Sequence, residues 1–267
     1  MARAHPPSPT SARQAPSSLI LRLTSLASIL LVWLILSKVM GSQALPGPSE
    51  TLEFLFQQLK KGSLTFHIWA TMKRVFIAFA LAMMLGILVG VLMGAFKWLD
   101  KFLEAWLLAG LTIPRIVLFV MAYLLLGLND RSAILALVLT VLPTVAAQIR
   151  EGTRALDMKL LEMARAYERP PRLIWFKVIL PQLLPYLIGT ARGALSLAWK
   201  MVILAELLGR SSGVGYQISF YFQMFNMRGI LAYGLAMMLV LAVIDLVFMA
   251  LIERYAFRWR RRVRFSE

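Results

Sequence analysis

Six apolar stretches dominate this sequence, and each is long enough to cross a bilayer. They run over Leu19–Met40 and over about residues 68–95, 103–126, 132–149, 185–208 and 230–253. About 20 apolar residues in a helix cover a hydrocarbon core of about 30 Å. Inside lipid every backbone polar group must be satisfied within the protein, which restricts spans of this kind to helices. The 60% hydrophobic content lies above the 45–50% usual for soluble domains. The reading is an all-α membrane protein with six transmembrane helices. The first stretch reads as an uncleaved anchor, being longer than a usual signal core, although Ser42-Gln43-Ala44 has some look of a cleavage site.

The breaks carry their own signals. Residues 1–17 are rich in Pro, Ser and Ala and read as a disordered tail. Leu45-Pro46-Gly47-Pro48 ends the first span, and residues 51–60 predict a short amphipathic helix at the interface. Span two carries Gly86, Gly90 and Gly94 on one flat face, suited to close helix packing within the chain or to a second copy. Pro114 falls inside span three, and Gly127-Leu128-Asn129-Asp130 makes the turn after it. Residues 18–257 form the transmembrane unit, and residues 258–267 a basic tail. No internal repeat is found.

The net charge of +16 invites a nucleic-acid reading, but the basic residues sit between apolar spans. They follow instead the excess of Lys and Arg that marks cytoplasmic loops. With the N-terminus inside, the cytoplasmic segments hold 18 Lys and Arg, seven of them between Arg150 and Lys177 and six between Arg254 and Arg264. The other side holds 7, including Lys73 and Arg74 near the start of span two. Both termini and the 150–181 loop are therefore expected in the cytoplasm.

That loop is charged and broken by prolines. Asp157 to Glu168 predicts a short helix with Leu160, Met163, Ala164 and Tyr167 on one apolar stripe and Lys159, Glu162 and Arg165 away from it. Pro170-Pro171 stops it, and Pro181 and Pro185 mark re-entry into the membrane. Physics alone leaves two readings: a helix lying on headgroups or one docking into a partner's groove.

A family resemblance favours docking. Glu162-Met163-Ala164, then Glu168, Val178, Leu180 and Pro181 resemble the coupling loop of binding-protein-dependent ABC transporter permeases. That loop reads Glu-Ala-Ala, three residues, Gly, nine residues, Ile, one residue, Leu-Pro. Met163 stands for an Ala and Glu168 for the Gly. The resemblance covers about residues 45–260. Ile113-Pro114-Arg115-Ile116, Gly127-Leu128-Asn129-Asp130 and Ala205-Glu206-Leu207-Leu208-Gly209 with Gly213-Val214-Gly215 are similar to the nitrate, sulfonate and taurine branch. Val120 and Asn129 depart from it.

The resemblance implies a type I ABC importer permease core plus an N-terminal helix, working as a homodimer in a bacterial inner membrane. It implies ATPase subunits as partners, an extracytoplasmic solute-binding protein, and an oxyanion as the solute. Glu162, Met163, Ala164, Tyr167, Glu168, Leu180 and Pro181 would be the ATPase-coupling residues. A Gly at position 168 would permit a left-handed turn that Glu168 makes costly, so that either Pro170-Pro171 builds the break or the docking angle changes.

The chain has no Gly-x-x-x-x-Gly-Lys-Ser/Thr loop, so ATP and magnesium belong to the partner. With two His and no Cys, neither a catalytic constellation nor a metal site is expected, and the chain is not read as an enzyme. Arg115, Arg192, Lys200, Glu206 and Asp245 fall within spans, where a central charge costs about 2.5–3.5 kcal/mol. They either pair locally or, for Arg115, Lys200 and Glu206, line a translocation path favouring an anion. Arg192 has the reach to snorkel. Gly213 and Gly215 form either a gate loop or an ordinary turn. A secondary transporter and a membrane scaffold are the rival readings.

Overall fold

The computed structural model describes residues 18–255. The tails expected over residues 1–17 and 258–267 lie outside the described residues. The chain is helical throughout this range: α1 (Ser18–Met40), α2 (Pro48–Lys60), α3 (Ser63–Ala95), α4 (Lys97–Thr112), α5 (Arg115–Leu126), α6 (Asp130–Arg154), α7 (Met158–Ala166), α8 (Pro171–Ile174), α9 (Leu180–Gly209), α10 (Val214–Gln223) and α11 (Met227–Tyr255). A π-helical turn, Trp175–Ile179, joins α8 to α9. Five helices are long and apolar enough to cross a membrane, and α4 with α5 makes a sixth as a bent pair.

The third span, expected over 103–126 with Pro114 inside it, is two helices rather than one. It breaks at Ile113-Pro114 and turns by 96°. Pro114 has no N–H to continue the ladder, and a residue before proline is pushed out of the α region; Ile113 accordingly has ψ 128. Gly127, at φ 80, ends α5, and the Asn129 side chain caps α6 by accepting from Ser132 N at 3.0 Å.

The core is built where α3, α6 and α9 meet. Val75, Ala78, Ala82, Ala136, Val141, Val145, Ala198, Val202 and Ala205 are fully buried there. Small side chains dominate because the helices approach closely. Gly86, Gly90 and Gly94 supply the closest seam. A Cβ on each would lie within 2.6 Å of Val145, 2.6 Å of the Ala146 carbonyl and 2.5 Å of Thr153 respectively. This face is spent inside the chain against α6, which resolves the sequence's open choice between intrachain packing and a second copy. The pairing 86 with 145, 90 with 146–149 and 94 with 153 is parallel, so the chain must cross back between α3 and α6. The bent α4–α5 pair makes that crossing.

The bundle thus has an end carrying Ser63, Asp130 and Gly209, and an opposite end carrying Ala95, Arg154 and Leu180. Helix α1 stands apart: its apolar window buries none of its residues, and Trp33 Nε1 holds it by donating to the Pro46 carbonyl at 3.1 Å. Helix α2, the short amphipathic helix expected over residues 51–60, packs on α11.

Candidate functional site

At the Arg154 end, α6 runs out of the bundle into α7. Asp157 caps α7 by accepting from Lys159 N at 2.9 Å, while its own N–H donates to Gln182 Oε1 of α9 at 2.8 Å. The expected apolar stripe divides in two. Leu161 and Ala164 are buried, α7 packing on α8 and the π turn that follow it, whereas Leu160, Met163 and Tyr167 are exposed, Tyr167 by 70%. Positions 161 and 164 lie about 100° around the helix from 160 and 163, so Ala164 seats the helix and its neighbours are presented outward. Glu162 is also exposed.

Glu168 does adopt the left-handed conformation, at φ 53. Arg169 N donates to the Ala164 carbonyl at 3.3 Å and Glu168 N to the Arg165 carbonyl at 2.8 Å, the pair of bonds that closes a Schellman turn. The turn that a glycine would favour is kept with a glutamate, and Pro170-Pro171 follows it and starts α8 rather than making the break. Leu180 and Pro181 are half-buried at the start of α9. Leu180 N reaches the Trp175 carbonyl, a wider π turn that lets the chain pass Pro181, which has no N–H to give. On the other side of α6, Asp100 in the first turn of α4 binds Arg150 at 2.5 Å and also Arg154. A carboxylate at one helix start and cations at another's last turn suit both dipoles.

At the Asp130 end, two of the sequence segments singled out above, through Asp130 and Glu206, converge with Ser212 on Arg74. Its Nη1 donates to Glu206 at 2.5 Å and to the Ser212 carbonyl at 2.8 Å, its Nη2 to Ser212 Oγ at 2.7 Å, and its Nε to Asp130 at 2.8 Å. Arg210 also binds Asp130, at 2.9 Å. Helix α10 has no capping side chain of its own. Its first N–H groups are satisfied from other helices: Gly213 N by His67 Nδ1 at 3.0 Å, Val214 N by Thr71 Oγ1 at 2.9 Å and Gly215 N by Glu206 Oε2 at 2.9 Å. Gly213, at φ 111, and Gly215 leave no room for a side chain, since a Cβ would overlap the Glu206 carboxylate and the Ile203 carbonyl.

Glu206 is 1% exposed. It and the two glycines lie in the packed core of this conformation, not on an open path or an exposed gate loop. Arg74, expected near the start of span two, does lie at that end of the bundle, but further along its helix than a span beginning at about residue 68 implies. Helix α3 begins at Ser63, which puts Arg74 about 17 Å into it. The signal available was an arginine beyond the start of an apolar stretch, with one acid in span five and another in the turn before span four.

The remaining intramembrane charges separate. Arg192 and Asp245 pair through two bonds of 2.9 and 2.8 Å. Arg115 opens α5 just past the proline break and is exposed, and Lys200 is exposed on α9.

Residues 82–261 match the family described as "Binding-protein-dependent transport system inner membrane component". The chain is 34% identical over 149 residues to a putative aliphatic sulfonates transport permease protein of Bacillus subtilis (strain 168), covering 56% of this chain and 54% of that one. It is 30% identical to a probable ABC transporter permease protein of Brucella melitensis biotype 1, over 70% of this chain and 75% of that one. A taurine transport system permease protein of Escherichia coli (strain K12) is 24% identical over 74% of each. In fold, the chain superposes on the inward-facing MetNI methionine ABC transporter with a TM-score of 0.64 at 21% identity, over 74% of this chain and 98% of that one. The match over two thirds of the sequence, in the branch that its own motifs indicate, shows that the chain belongs to the family of binding-protein-dependent ABC importer permeases.

Proposed function

We propose that this chain is the membrane-spanning subunit of an ATP-driven importer that admits a small oxyanion, of the sulfonate, taurine or nitrate type, by alternating access. The observation that carries the reading is α7: a capped, anchored helix that turns Leu160, Met163 and Tyr167 outward beside Glu162. Exposed apolar groups on a helix held away from the bundle suit insertion into a groove of a separate ATPase. Glu162, Met163, Tyr167 and Glu168 would touch that subunit, Ala164 would seat the helix, and Leu180 and Pro181 would carry its movement into α9. The Lys and Arg distribution puts the Arg154 end, and both termini, in the cytoplasm. The Asp130 end then faces the solute-binding protein, and a second copy completes the path. Exposed Lys200 and Arg115 are the cations that would attract an anion along it. The solute class is taken from the relatives' names and from these cations.

The test is purification from native membranes in mild detergent. An ATPase subunit should accompany the wild-type chain and be lost with Glu162→Lys or Tyr167→Glu. A chain that purifies without any ATPase, under conditions that preserve a known importer, contradicts the reading.

A further inference from the structure

The Arg192–Asp245 pair joins α9 to α11 through Nε to Oδ1 at 2.9 Å and Nη2 to Oδ2 at 2.8 Å. Arg192 lies 12 residues beyond Leu180 and Asp245 18 beyond Met227, about 18 and 27 Å along helices that start at opposite ends of the bundle, at 1.5 Å per residue. Both fall within the spans read from the sequence, 185–208 and 230–253. Yet the two side chains keep 49% and 40% of their surface open. The same chain also holds a closed pair, Arg74–Glu206, at 4% and 0%. A pair that only fastens two helices has no need to be open, and an open charge facing hydrocarbon costs about 2.5–3.5 kcal/mol. The open side therefore faces water or a polar occupant.

Space for an occupant is present. Arg192, Ser196 and Asp245 line a cavity of about 350 Å³ whose remaining wall is apolar, from Leu195, Met238 and Leu241. Next to it on α9 a Cβ on Gly189 or Gly193 would meet nothing within 4 Å, so these two positions are also open.

Charge balance selects the occupant. The pair is neutral as a whole. A bare anion taken by Arg192 would strand Asp245 inside the membrane, and a stranded charge is heavily penalised. A zwitterion replaces both partners at once. Its oxyanion accepts from the Arg192 fork and the Ser196 hydroxyl, its ammonium donates to the Asp245 carboxylate, and no net charge enters the cavity. The apolar wall then covers a short methylene chain. We propose that this cavity is a solute-binding station for a small zwitterion with an oxyanion at one end and an ammonium at the other, the class of an aminoalkanesulfonate. This rests on the importer reading above and names its solute more closely.

The test uses the importer complex, this chain with its ATPase, in lipid nanodiscs without the solute-binding protein. Radiolabelled taurine is the probe, and ethanesulfonate, which lacks the ammonium, is the competitor. Taurine should bind with a Kd of about 1 mM or tighter, and ethanesulfonate about tenfold more weakly. Asp245→Asn should weaken taurine about tenfold while leaving ethanesulfonate within about twofold. The double variant R192Q/D245N keeps a neutral hydrogen-bonded pair between the helices. It should assemble with the ATPase as the wild type does and lose taurine. Wild-type complex that binds no taurine, a double variant that keeps it, or equal loss of both probes in Asp245→Asn overturns the proposal. In each of these cases a complex that still holds its ATPase leaves the importer reading standing. Failure of the ATPase to assemble with the wild type removes that reading and this site with it.

Discussion

At the scale of single residues, Arg74 and Glu206 decide how one end of the bundle is built. Glu206 accepts from Arg74, Thr71 and Gly215 N while almost wholly buried. Removing one partner of such a pair leaves the other uncompensated, at a cost of about 3–5 kcal/mol, whereas replacing both by apolar groups of similar volume is often near neutral. Glu206→Ala should therefore lower the midpoint of thermal aggregation in detergent and the yield of folded protein. The double variant R74M/E206L should recover most of that loss in the pair itself. The residual deficit would reflect the uncapped N–H of Gly215 and the unpaired Asp130. The acids of this cluster were legible in the sequence as intramembrane or turn residues, but their shared partner was not. Lys73-Arg74 sits beside a plausible span boundary, and a window of hydropathy cannot tell an end charge from one a few turns inside. Gly213 and Gly215 were legible as special positions. Their reason, close approach of Gly213 to the Glu206 carboxylate and of Gly215 to the Ile203 carbonyl, is tertiary.

At the scale of elements, the parallel seam between α3 and α6 sets the architecture. Gly90 is its tightest point against backbone, since a Cβ there would sit 2.6 Å from the Ala146 carbonyl. A carbonyl on a helix cannot move aside as a flexible side chain does, so Gly90→Ala should cost about 1–3 kcal/mol as overpacking. Gly189→Ala, in open space, should cost little. Comparing the folded yields and thermal midpoints of the two variants checks this. The glycine spacing announced a packing face, but the sequence does not say which helix receives it. The breaks divided in the same way. Pro114 was visible inside span three, but its 96° bend was not, because proline fixes the loss of a hydrogen bond and leaves the angle to packing. Pro143 shows the contrast, staying buried within an unbroken α6. On α7 the helix was legible from periodicity, while the burial of Ala164 with Leu161, which splits the stripe read from the sequence, depended on how α8 and the π turn fold back on it. Glu168 kept the turn of the glycine it replaces, at a local cost of about 1–2 kcal/mol for a side chain in that conformation.

At the scale of the whole molecule, the two ends have different characters. One is closed by an ion-pair network that caps α10 from α3 and α9. The other projects a helix with apolar groups turned outward, anchored through Asp157 and Gln182 to the start of α9 and bordered by the Asp100 pairs that tie α4 to α6. Movement imposed on α7 would pass directly into α9, whose open face carries Arg192, Ser196 and Lys200. The number of apolar helices follows from hydropathy, and charge gives the sense of crossing expected for them. The pairing of helices across the bundle follows from neither, because lipid-facing and protein-facing apolar residues look alike in a sequence.

The central claim is that α7 meets a separate ATPase at the cytoplasmic face. The chain has no cysteine, so single cysteines report one position each. Met163→Cys and Ser211→Cys stand at opposite ends of the bundle, both at exposed positions. Membranes holding the assembled importer would be treated with a short thiol-directed crosslinker. Met163→Cys should join the ATPase subunit and Ser211→Cys should not. A crosslink from Ser211→Cys, or none from Met163→Cys in a complex that retains its ATPase, would contradict the account.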